Sequence, residues 1–234
     1  MLKKLATALA DFFYPPVCAV CGETAEASGR LCGRCRARAA HPRAYAAREA
    51  GLAHIDGVLA LARYRGGLQT LLHKVKFSGQ KELLPLLAGE FEFLWEGPGR
   101  AGLERLLGNY SGGIAAIPVP TDGQRLIARG YDLPKVIFQA WSRRQNYAWR
   151  ECLKRCAAKR PQYELTGLER RNNMAGAVAA EYVPEEGALL IVDDILTTGA
   201  TLCECARALR SAGGAKKIIV GLAVASDAQN PAPN

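Results

Sequence analysis

The chain has 234 residues, of which 49% are apolar, so it can bury one large core and still carry a small appended module. No apolar run reaches the roughly 18 residues that a membrane-spanning helix needs, so no membrane span is expected. The net charge of +9 favours polyanionic partners such as nucleotides, polyphosphates or nucleic acid, although a solvated basic face would give the same charge.

The first residues are predicted to form an amphipathic helix that packs on the body of the protein. Apolar residues recur there at helical spacing, namely Leu2, Leu5, Leu9 and Phe12. Asp11 interrupts the apolar stretch and no small-residue cleavage site follows, so the segment does not fit a signal peptide. We therefore expect a cytoplasmic protein whose eight cysteines are thiols or metal ligands rather than disulfides.

Two Cys-x-x-Cys elements come next, separated by ten residues. Two such pairs can supply four thiolates to one tetrahedral zinc ion, and Gly22 and Gly33 suit the tight turns of a zinc knuckle. The loop between the pairs is shorter than usual, and a reduced cysteine cluster without metal or a redox pair is the alternative. The pattern predicts a zinc-binding module over residues 1–45 with the ligands Cys18, Cys21, Cys32 and Cys35.

Residues 46–226 are predicted to form one α/β domain. Apolar runs predict strands at 52–64, 114–120, 188–192 and 217–225, with weaker candidates at 147–153 and 177–183. Helical spacing predicts helices around 68–75 and over 80–95, 133–145 and 201–212. Glycine and proline predict a loop between 97 and 113, and a basic loop is expected after residue 120. Alternating strands and helices predict a mostly parallel sheet with helices on both faces, followed by a disordered tail at 227–234.

The most informative segment runs from Leu190 to Thr201, where an apolar strand leads to two adjacent acids and a loop rich in threonine and glycine. Backbone N–H groups and the positive dipole end at the start of the next helix suit a phosphate group. The carboxylates can accept hydrogen bonds from ribose hydroxyls or lie beside a magnesium ion. An ordinary strand, turn and helix with a capping threonine is the alternative. The segment predicts a sugar-phosphate site formed by Asp193, Asp194, Thr197, Thr198, Gly199, Ala200 and Thr201.

Basic residues are concentrated in one stretch of the chain. Between Arg125 and Arg171 there are twelve Lys or Arg and four Asp or Glu, a net charge of +8. Arg125 and Arg129 lie four residues apart in the predicted loop after a buried strand, where their guanidinium groups can neutralise a pyrophosphate. Lys76 lies beside a predicted turn. These three side chains are the candidate pyrophosphate ligands, and ordinary surface charge is the alternative for each.

The segment around Asp193 and Asp194 resembles the phosphate-binding motif of type I phosphoribosyltransferases. The resemblance implies that the two acids contact the ribose 2′ and 3′ hydroxyls and that residues 197–201 hold the 5′-phosphate. The whole chain, from Tyr14 to about Ala225, resembles the ComF family of competence proteins. That resemblance rests on the paired cysteines and on Lys76-Phe77-x-Gly79, Pro118-Val-Pro120, Arg125-x-x-x-Arg129-Gly130-Tyr131, Gln162 to Asn173 and Val192-Asp193-Asp194.

The chain departs from the family pattern at two places. Thr121-Asp122 stand where the family often has Leu-His, and Asp132-Leu133 stand where it usually has Asn-Gln. Both departures place an acid near the candidate pyrophosphate ligands, whereas the segment around Asp193 keeps the family pattern.

The resemblance implies a protein that binds phosphoribosyl pyrophosphate (PRPP) or ribose 5-phosphate with magnesium and takes part in DNA uptake during natural transformation. As a catalyst it would transfer the phosphoribosyl group to an acceptor that the sequence does not identify. The alternative is a non-catalytic ligand sensor or an adaptor that contacts single-stranded DNA and a competence helicase. Basic residues interleaved with aromatic ones predict such a DNA surface at Tyr131, Trp141, Tyr147, Trp149 and Tyr163. An amidotransferase is disfavoured, because cysteine knuckles rather than a glutaminase domain precede the body.

Overall fold

The computed structural model describes residues 16–25, 31–37, 40–46, 51–156 and 176–227. Three predicted features lie outside the described residues: the N-terminal helix, the Gln162 to Asn173 motif and residues 228–234 of the tail. Within the ranges given, no helix has both the length and the apolarity needed to cross a membrane.

The described strands are β1 (Ala40–Ala46), β2 (Gly57–Arg63), β3 (Ile114–Pro118), β4 (Ala148–Trp149), β5 (Leu153–Arg155), β6 (Val178–Ala180), β7 (Ala188–Leu196) and β8 (Ile218–Ser226). The described α-helices are α1 (Gly33–Ala37), α2 (Gly66–Phe77), α3 (Leu84–Leu94), α4 (Arg100–Leu107), α5 (Gly123–Arg129), α6 (Leu133–Arg144) and α7 (Ala200–Ser211). The strands and helices that the sequence predicts in these ranges are present, with shifted ends. The strand expected at 52–64 begins only at Gly57, and the single strand expected at 147–153 is divided between β4 and the start of β5, which lie in different sheets.

One sheet organises the body of the protein. Six of the described strands form it in the order β1-β2-β8-β7-β3-β4. All neighbours are parallel except β1, which runs antiparallel to β2 at one edge. β5 and β6 form a separate antiparallel pair. The predicted α/β class with a mostly parallel sheet is therefore confirmed, and the residues that follow β2, β3 and β7 meet at one edge of the sheet.

Both faces of the sheet are buried, which explains why its central strands are continuously apolar in sequence. Leu190 and Val192 of β7 pack in the core shared with α2, α3 and α6. Leu189 and Ile191, which point to the opposite face, pack in the core shared with α7. The predicted layers of helices on both faces are thus present.

The loop predicted between residues 97 and 113 is wrong over Arg100–Leu107, which form helix α4. Gly97 and Pro98 lie in a distorted turn between α3 and α4, so they mark a kink rather than a long loop. Gly102 is buried against β2, and a Cβ atom there would lie 2.9 Å from Leu59 Cδ1. The glycine therefore permits close packing of the helix on the sheet.

The basic loop predicted after residue 120 is also wrong, because Gly123–Arg129 form helix α5. The Asp122 carboxylate caps this helix and accepts hydrogen bonds from the backbone N–H groups of Gln124 (3.1 Å) and Arg125 (3.2 Å). None of the helix residues is buried. No apolar periodicity could therefore predict the helix from the sequence.

Strand β1 crosses the boundary predicted between the zinc module and the body. Its residues pair with β2 from Ala46 opposite Gly57 to Ala40 opposite Ala62, with an irregularity between Ala40 and Arg43. The segment that leads out of the cysteine-rich region is therefore an edge strand of the main sheet.

The aromatic residues proposed to stack on DNA bases mostly contribute to the core. Trp141 is 1% exposed, and its ring lies edge-on to Trp95 at a centroid distance of 4.8 Å. Tyr131, Tyr147 and Trp149 are partly buried and pack against the same core, and Tyr163 lies outside the described residues. The prediction that Trp141 lies on a nucleic-acid surface is wrong, because the ring fills the space between α3 and α6.

Trp141→Ala is expected to lower the free energy of unfolding by about 3–5 kcal/mol, because it removes a large buried ring and leaves a cavity. Ile127→Ala is the matched control: that side chain is 85% exposed, so its loss should change stability by less than about 0.5 kcal/mol. Urea unfolding followed by far-UV circular dichroism measures both changes. Equal unfolding midpoints for the two variants would contradict the assignment of Trp141 to the core.

Candidate functional site

A cavity of about 330 Å³ opens at the carboxyl edge of the sheet. It lies where β2, β3 and β7 end, which is where open α/β sheets bind their ligands. One wall consists of carboxylates and hydroxyl groups from Asp193, Asp194, Thr197 and Thr201. A second wall consists of the basic side chains Lys76, Arg125, Arg129 and Arg155. The fold therefore brings acidic and basic residues from distant parts of the chain to one cavity.

The two adjacent acids lie on β7 itself, which continues beyond them to Leu196. Lys76 Nζ lies 2.8 Å from Asp194 Oδ1, and the Asp194 side chain is 9% exposed. The Asp194 backbone N–H donates to Asp193 Oδ1 at 2.8 Å. Burial raises the pKa of Asp193 well above its usual range, and the charge of Asp194 raises it further, while Lys76 opposes the rise. Within the described part of the chain, Lys76 and one backbone N–H are the donors to the acid pair, so the pair suits a ligand that brings hydroxyl groups or a cation.

The segment after β7 has the backbone conformation that a phosphate-binding loop needs. Gly199 has a φ of 76°, in the left-handed region, and a Cβ atom there would lie 2.6 Å from Leu52 Cδ2. Helix α7 begins at Ala200, whose N–H donates to Thr198 Oγ1 at 3.3 Å. Thr197 and Thr201 face the cavity. The N-terminus of a twelve-residue helix thus lies beside the acid pair.

The predicted pyrophosphate ligands all line the cavity, although they come from different elements. Lys76 ends α2, and Arg125 and Arg129 lie on α5 rather than in a loop. Arg129 Nε donates to the Lys76 carbonyl oxygen at 3.0 Å, which joins the two elements. Three of the four basic groups in the cavity wall were therefore identified from sequence.

Arg155 is the basic cavity residue that sequence reasoning missed. It ends the short strand β5, and its Nε donates to the Pro120 carbonyl oxygen at 2.9 Å. A three-residue strand gives almost no periodic signal. The count of basic residues included Arg155, but nothing in the sequence distinguished it from the solvent-exposed Lys154 beside it.

The two departures from the family pattern provide helix caps. Asp122 caps α5, as described above, and Asp132 caps α6 by accepting from the Lys135 N–H at 3.4 Å and from Thr121 Oγ1 at 3.1 Å. Both carboxylates are thus partly satisfied by hydrogen bonds at the start of a helix. Their negative charge is held by backbone N–H groups, which lowers its effect on an approaching polyphosphate.

The four knuckle cysteines form a second site. Their Sγ atoms all lie within 4.8 Å of one another, and Cys21 and Cys32 Sγ are 3.6 Å apart. A tetrahedral zinc ion with Zn–S bonds of about 2.3 Å separates its sulfurs by about 3.8 Å, so the cluster has the size that zinc requires. Burial raises the pKa of Cys18, but hydrogen bonds from the backbone of Cys32, Cys21 and Val20 outweigh it and lower the pKa to about 6. The thiol geometry and the backbone donors both fit a structural zinc ion.

Comparison with protein families matches both sites. The model of the double zinc ribbon domain matches residues 9–47, and the model of the phosphoribosyl transferase domain matches residues 163–233. The chain therefore combines a segment similar to a double zinc ribbon with a segment similar to a phosphoribosyl transferase domain. The first match includes all four knuckle cysteines, and the second includes β7, α7 and β8. The resemblance predicted from the sequence is therefore confirmed.

The chain is similar over most of its length to bacterial proteins named DNA utilization protein YhgH. It is 28% identical over 205 residues to the one from Escherichia coli O157:H7 and 27% identical over 206 residues to the one from Salmonella typhimurium. Each match covers 85% of this chain and 86% of the relative.

The purified protein is expected to carry about one zinc ion per chain. Cys18→Ser should reduce the zinc content strongly and unfold the ribbon, because structural zinc contributes folding energy directly. The sheet should remain folded, since its core is separate from the small cluster around the cysteines. Elemental analysis measures the zinc, and Cys156→Ser, which changes an exposed cysteine outside the cluster, is the control. Protein purified without chelators that contains no zinc would contradict the assignment.

Proposed function

We propose that this protein binds PRPP or ribose 5-phosphate, together with a magnesium ion, in the cavity at the carboxyl edge of the sheet. The observation that carries the proposal is that one cavity combines an acid pair, a threonine and glycine loop at a helix N-terminus, and four basic side chains. These are the groups that a ribose, a phosphate and a pyrophosphate respectively require. The match to the phosphoribosyl transferase domain supports the same ligand class.

The proposed orientation follows from the chemistry of each wall. The ribose 2′ and 3′ hydroxyls donate to Asp193 and Asp194, which accept hydrogen bonds from the Asp194 N–H and from Lys76 among the described residues. The 5′-phosphate lies against residues 197–201, where the N–H groups at the start of α7 point toward it. The pyrophosphate faces Lys76, Arg125, Arg129 and Arg155. Asp193 and Asp194 are the residues that would hold a magnesium ion, which would supply positive charge beside the pyrophosphate.

In the catalytic form of the proposal, an acceptor attacks the anomeric carbon of PRPP. A bond from that carbon to the acceptor forms as its bond to pyrophosphate breaks, pyrophosphate leaves as the anion, and the proton lost by the acceptor passes to solvent. A magnesium ion held by the acidic wall would add to the neutralisation of the leaving charge. The protein positions the reactants and neutralises the leaving charge, so no dedicated general base is needed. A ligand sensor would use the same contacts without breaking a bond.

Consumption of the ligand separates the enzyme from the sensor. The experiment incubates the protein with PRPP and magnesium, adds a panel of nucleobases and amines, and follows the release of pyrophosphate. Release that depends on one acceptor identifies an enzyme and its substrate class. Binding of PRPP without release under every condition identifies a sensor.

The names of the relatives support a role in the use of DNA, and we extend that role to this protein. We place it in the cytoplasm, because none of the eight cysteines forms a disulfide, and a reducing compartment would preserve both the four clustered thiolates and the other four thiols. Direct contact with single-stranded DNA, or contact with a helicase partner, would connect the phosphoribosyl ligand to DNA uptake.

Ion pairs among the basic residues after Arg125 indicate which part of the surface could bind DNA. Four basic residues of the stretch after Arg125 are held by acids in ion pairs: Lys135, Arg144, Arg150 and Lys154. Among the described residues, no salt bridge engages Arg125, Arg129 or Arg155, which face the cavity. We therefore propose that a DNA strand contacts the protein near the mouth of the cavity.

Asp194→Asn is expected to weaken the binding of ribose 5-phosphate by about 1–3 kcal/mol, because hydrogen bonds to a charged acceptor are lost. Thr201→Val should also weaken it, since the hydroxyl faces the cavity. Isothermal titration calorimetry measures both, with Glu96→Ala as a control that removes an exposed acid outside the cavity. Equal affinity for wild type, Asp194→Asn and Thr201→Val would refute the site.

Binding of an unstructured oligonucleotide is expected to weaken steeply as salt rises, because contacts with phosphates release bound counterions. Three phosphate contacts would lower the affinity roughly twentyfold between about 50 and 200 mM salt. Fluorescence anisotropy at the two salt concentrations measures the change. Undetectable binding at low salt, or binding indifferent to salt, would leave any role in DNA use to a partner protein.

A further inference from the structure

Helix α2 contacts the zinc ribbon and the cavity at the same time. Gly67 in its first turn lies against the ribbon, where a Cβ atom would be 2.7 Å from Cys35 Cβ. Lys74 in its last turn donates from Nζ to the carbonyl oxygen of Ala19 at 3.0 Å, and Ala19 lies inside the first Cys-x-x-Cys element. The ribbon is therefore packed along one side of the helix.

The same last turn forms part of the cavity. The Tyr131 hydroxyl donates to the Val75 carbonyl oxygen, and Arg129 Nε donates to the Lys76 carbonyl oxygen at 3.0 Å. Lys76 Nζ forms the 2.8 Å ion pair with Asp194. Lys74 is thus bound to the ribbon, whereas Lys76, two residues later, is bound to the acid pair.

A buried carboxylate on the next helix fixes the ribbon to the body. Glu90 of α3 is 2% exposed and accepts from the backbone N–H of Leu31 at 3.0 Å, next to the ligand Cys32. Its two oxygens also accept from Arg36 at 2.7 and 2.9 Å. A buried charge with this many partners implies a defined docked position rather than a flexible tether.

We infer that the zinc-loaded ribbon holds the last turn of α2, and with it Lys76, in the position that the cavity requires. Zinc occupancy should therefore strengthen binding of the phosphoribosyl ligand, and this consequence rests on the proposed function. Among the described residues of the ribbon, the buried core consists of Cys18, Ala25, Leu31, Cys32 and Cys35. A core this small needs a bound metal or a disulfide in order to fold. Loss of zinc therefore unfolds the ribbon and removes its contacts with Gly67 and Lys74. Coupling of this kind is reciprocal, so bound ligand also raises the affinity for zinc.

Hydrogen exchange tests the structural part directly and needs no ligand. Zinc-loaded and chelator-stripped proteins are compared by mass spectrometry in the peptide that contains Lys74 to Phe77. The stripped protein is expected to exchange these amides faster, whereas a peptide from β8, in the centre of the sheet, should not change. Unchanged exchange over Lys74 to Phe77 after zinc removal would overturn the inference.

Two glycine variants test the contact itself. Gly67→Ala places a methyl group against Cys35, so it should lower the zinc affinity and the ribose 5-phosphate affinity, each by at least about fivefold. Gly89→Ala is the matched control, because a Cβ atom at that position of α3 meets nothing within 4 Å. Zinc affinity is measured by competition with a chromophoric chelator, and ribose 5-phosphate affinity by calorimetry.

The combined results separate the two proposals. If ribose 5-phosphate binds equally to zinc-loaded and zinc-stripped protein, the coupling is overturned and the proposed function stands. If exchange over Lys74 to Phe77 depends on zinc but ribose 5-phosphate binds neither form, the positioning role stands and the proposed function fails. If Gly67→Ala behaves like Gly89→Ala in both affinities, the contact with Cys35 is not the route of coupling and the inference is overturned.

Discussion

The site depends on two adjacent carboxylates that the fold places at the edge of a buried sheet. Taking such charges out of water is costly unless a counter-charge or hydrogen bonds compensate them. Lys76 supplies the counter-charge from a helix 118 residues away in sequence. This ion pair links α2 to β7. The carbonyl groups of the same helix turn accept hydrogen bonds from Arg129 and Tyr131, which link α2 to the segment after β3.

The ion pair also determines what a ligand must supply. Lys76 neutralises one acid, while burial and the charge of Asp194 raise the pKa of Asp193. A sugar with two neighbouring hydroxyls brings donors to both carboxylates, and a divalent cation brings charge. An anionic group approaching the same wall would be repelled, so phosphates are directed to the basic wall and to the start of α7. Under the proposed function, the acidic wall takes the sugar hydroxyls and the basic wall takes the phosphates, so the two walls together orient a phosphorylated sugar.

Ion pairing distributes the positive charge of the chain unevenly. Several basic residues that follow Arg125 in sequence and lie on the outer surface form ion pairs with nearby acids. Among the described residues, the arginines at the cavity form no salt bridge, so their charge is available to a ligand. A net charge computed over a stretch of sequence cannot distinguish these two populations, because the acids that pair with them include Glu92 and Glu186, which lie outside the stretch.

The sequence by itself determined the features that depend on local pattern. The cysteine spacing predicted the zinc ribbon, alternation of apolar strands and helices predicted the α/β sheet, and the segment from Leu190 to Thr201 predicted the helix that begins beside two acids. Each of these signals is contained within a few turns or one strand, where spacing alone sets the geometry.

Only the tertiary structure decided which residues share a surface. Trp141, which the sequence placed on a nucleic-acid surface, lies in the core, and the basic segment after Pro120 forms a helix. Arg155, which the sequence did not single out, lines the cavity. A side chain's exposure depends on what packs against it from distant parts of the chain, and that information has no local period. The packing of the ribbon on α2 through Gly67 and Lys74 also could not be predicted from the sequence. The helix requires glycine at position 67 because Cys35 packs against it, and that contact is visible only in the folded protein.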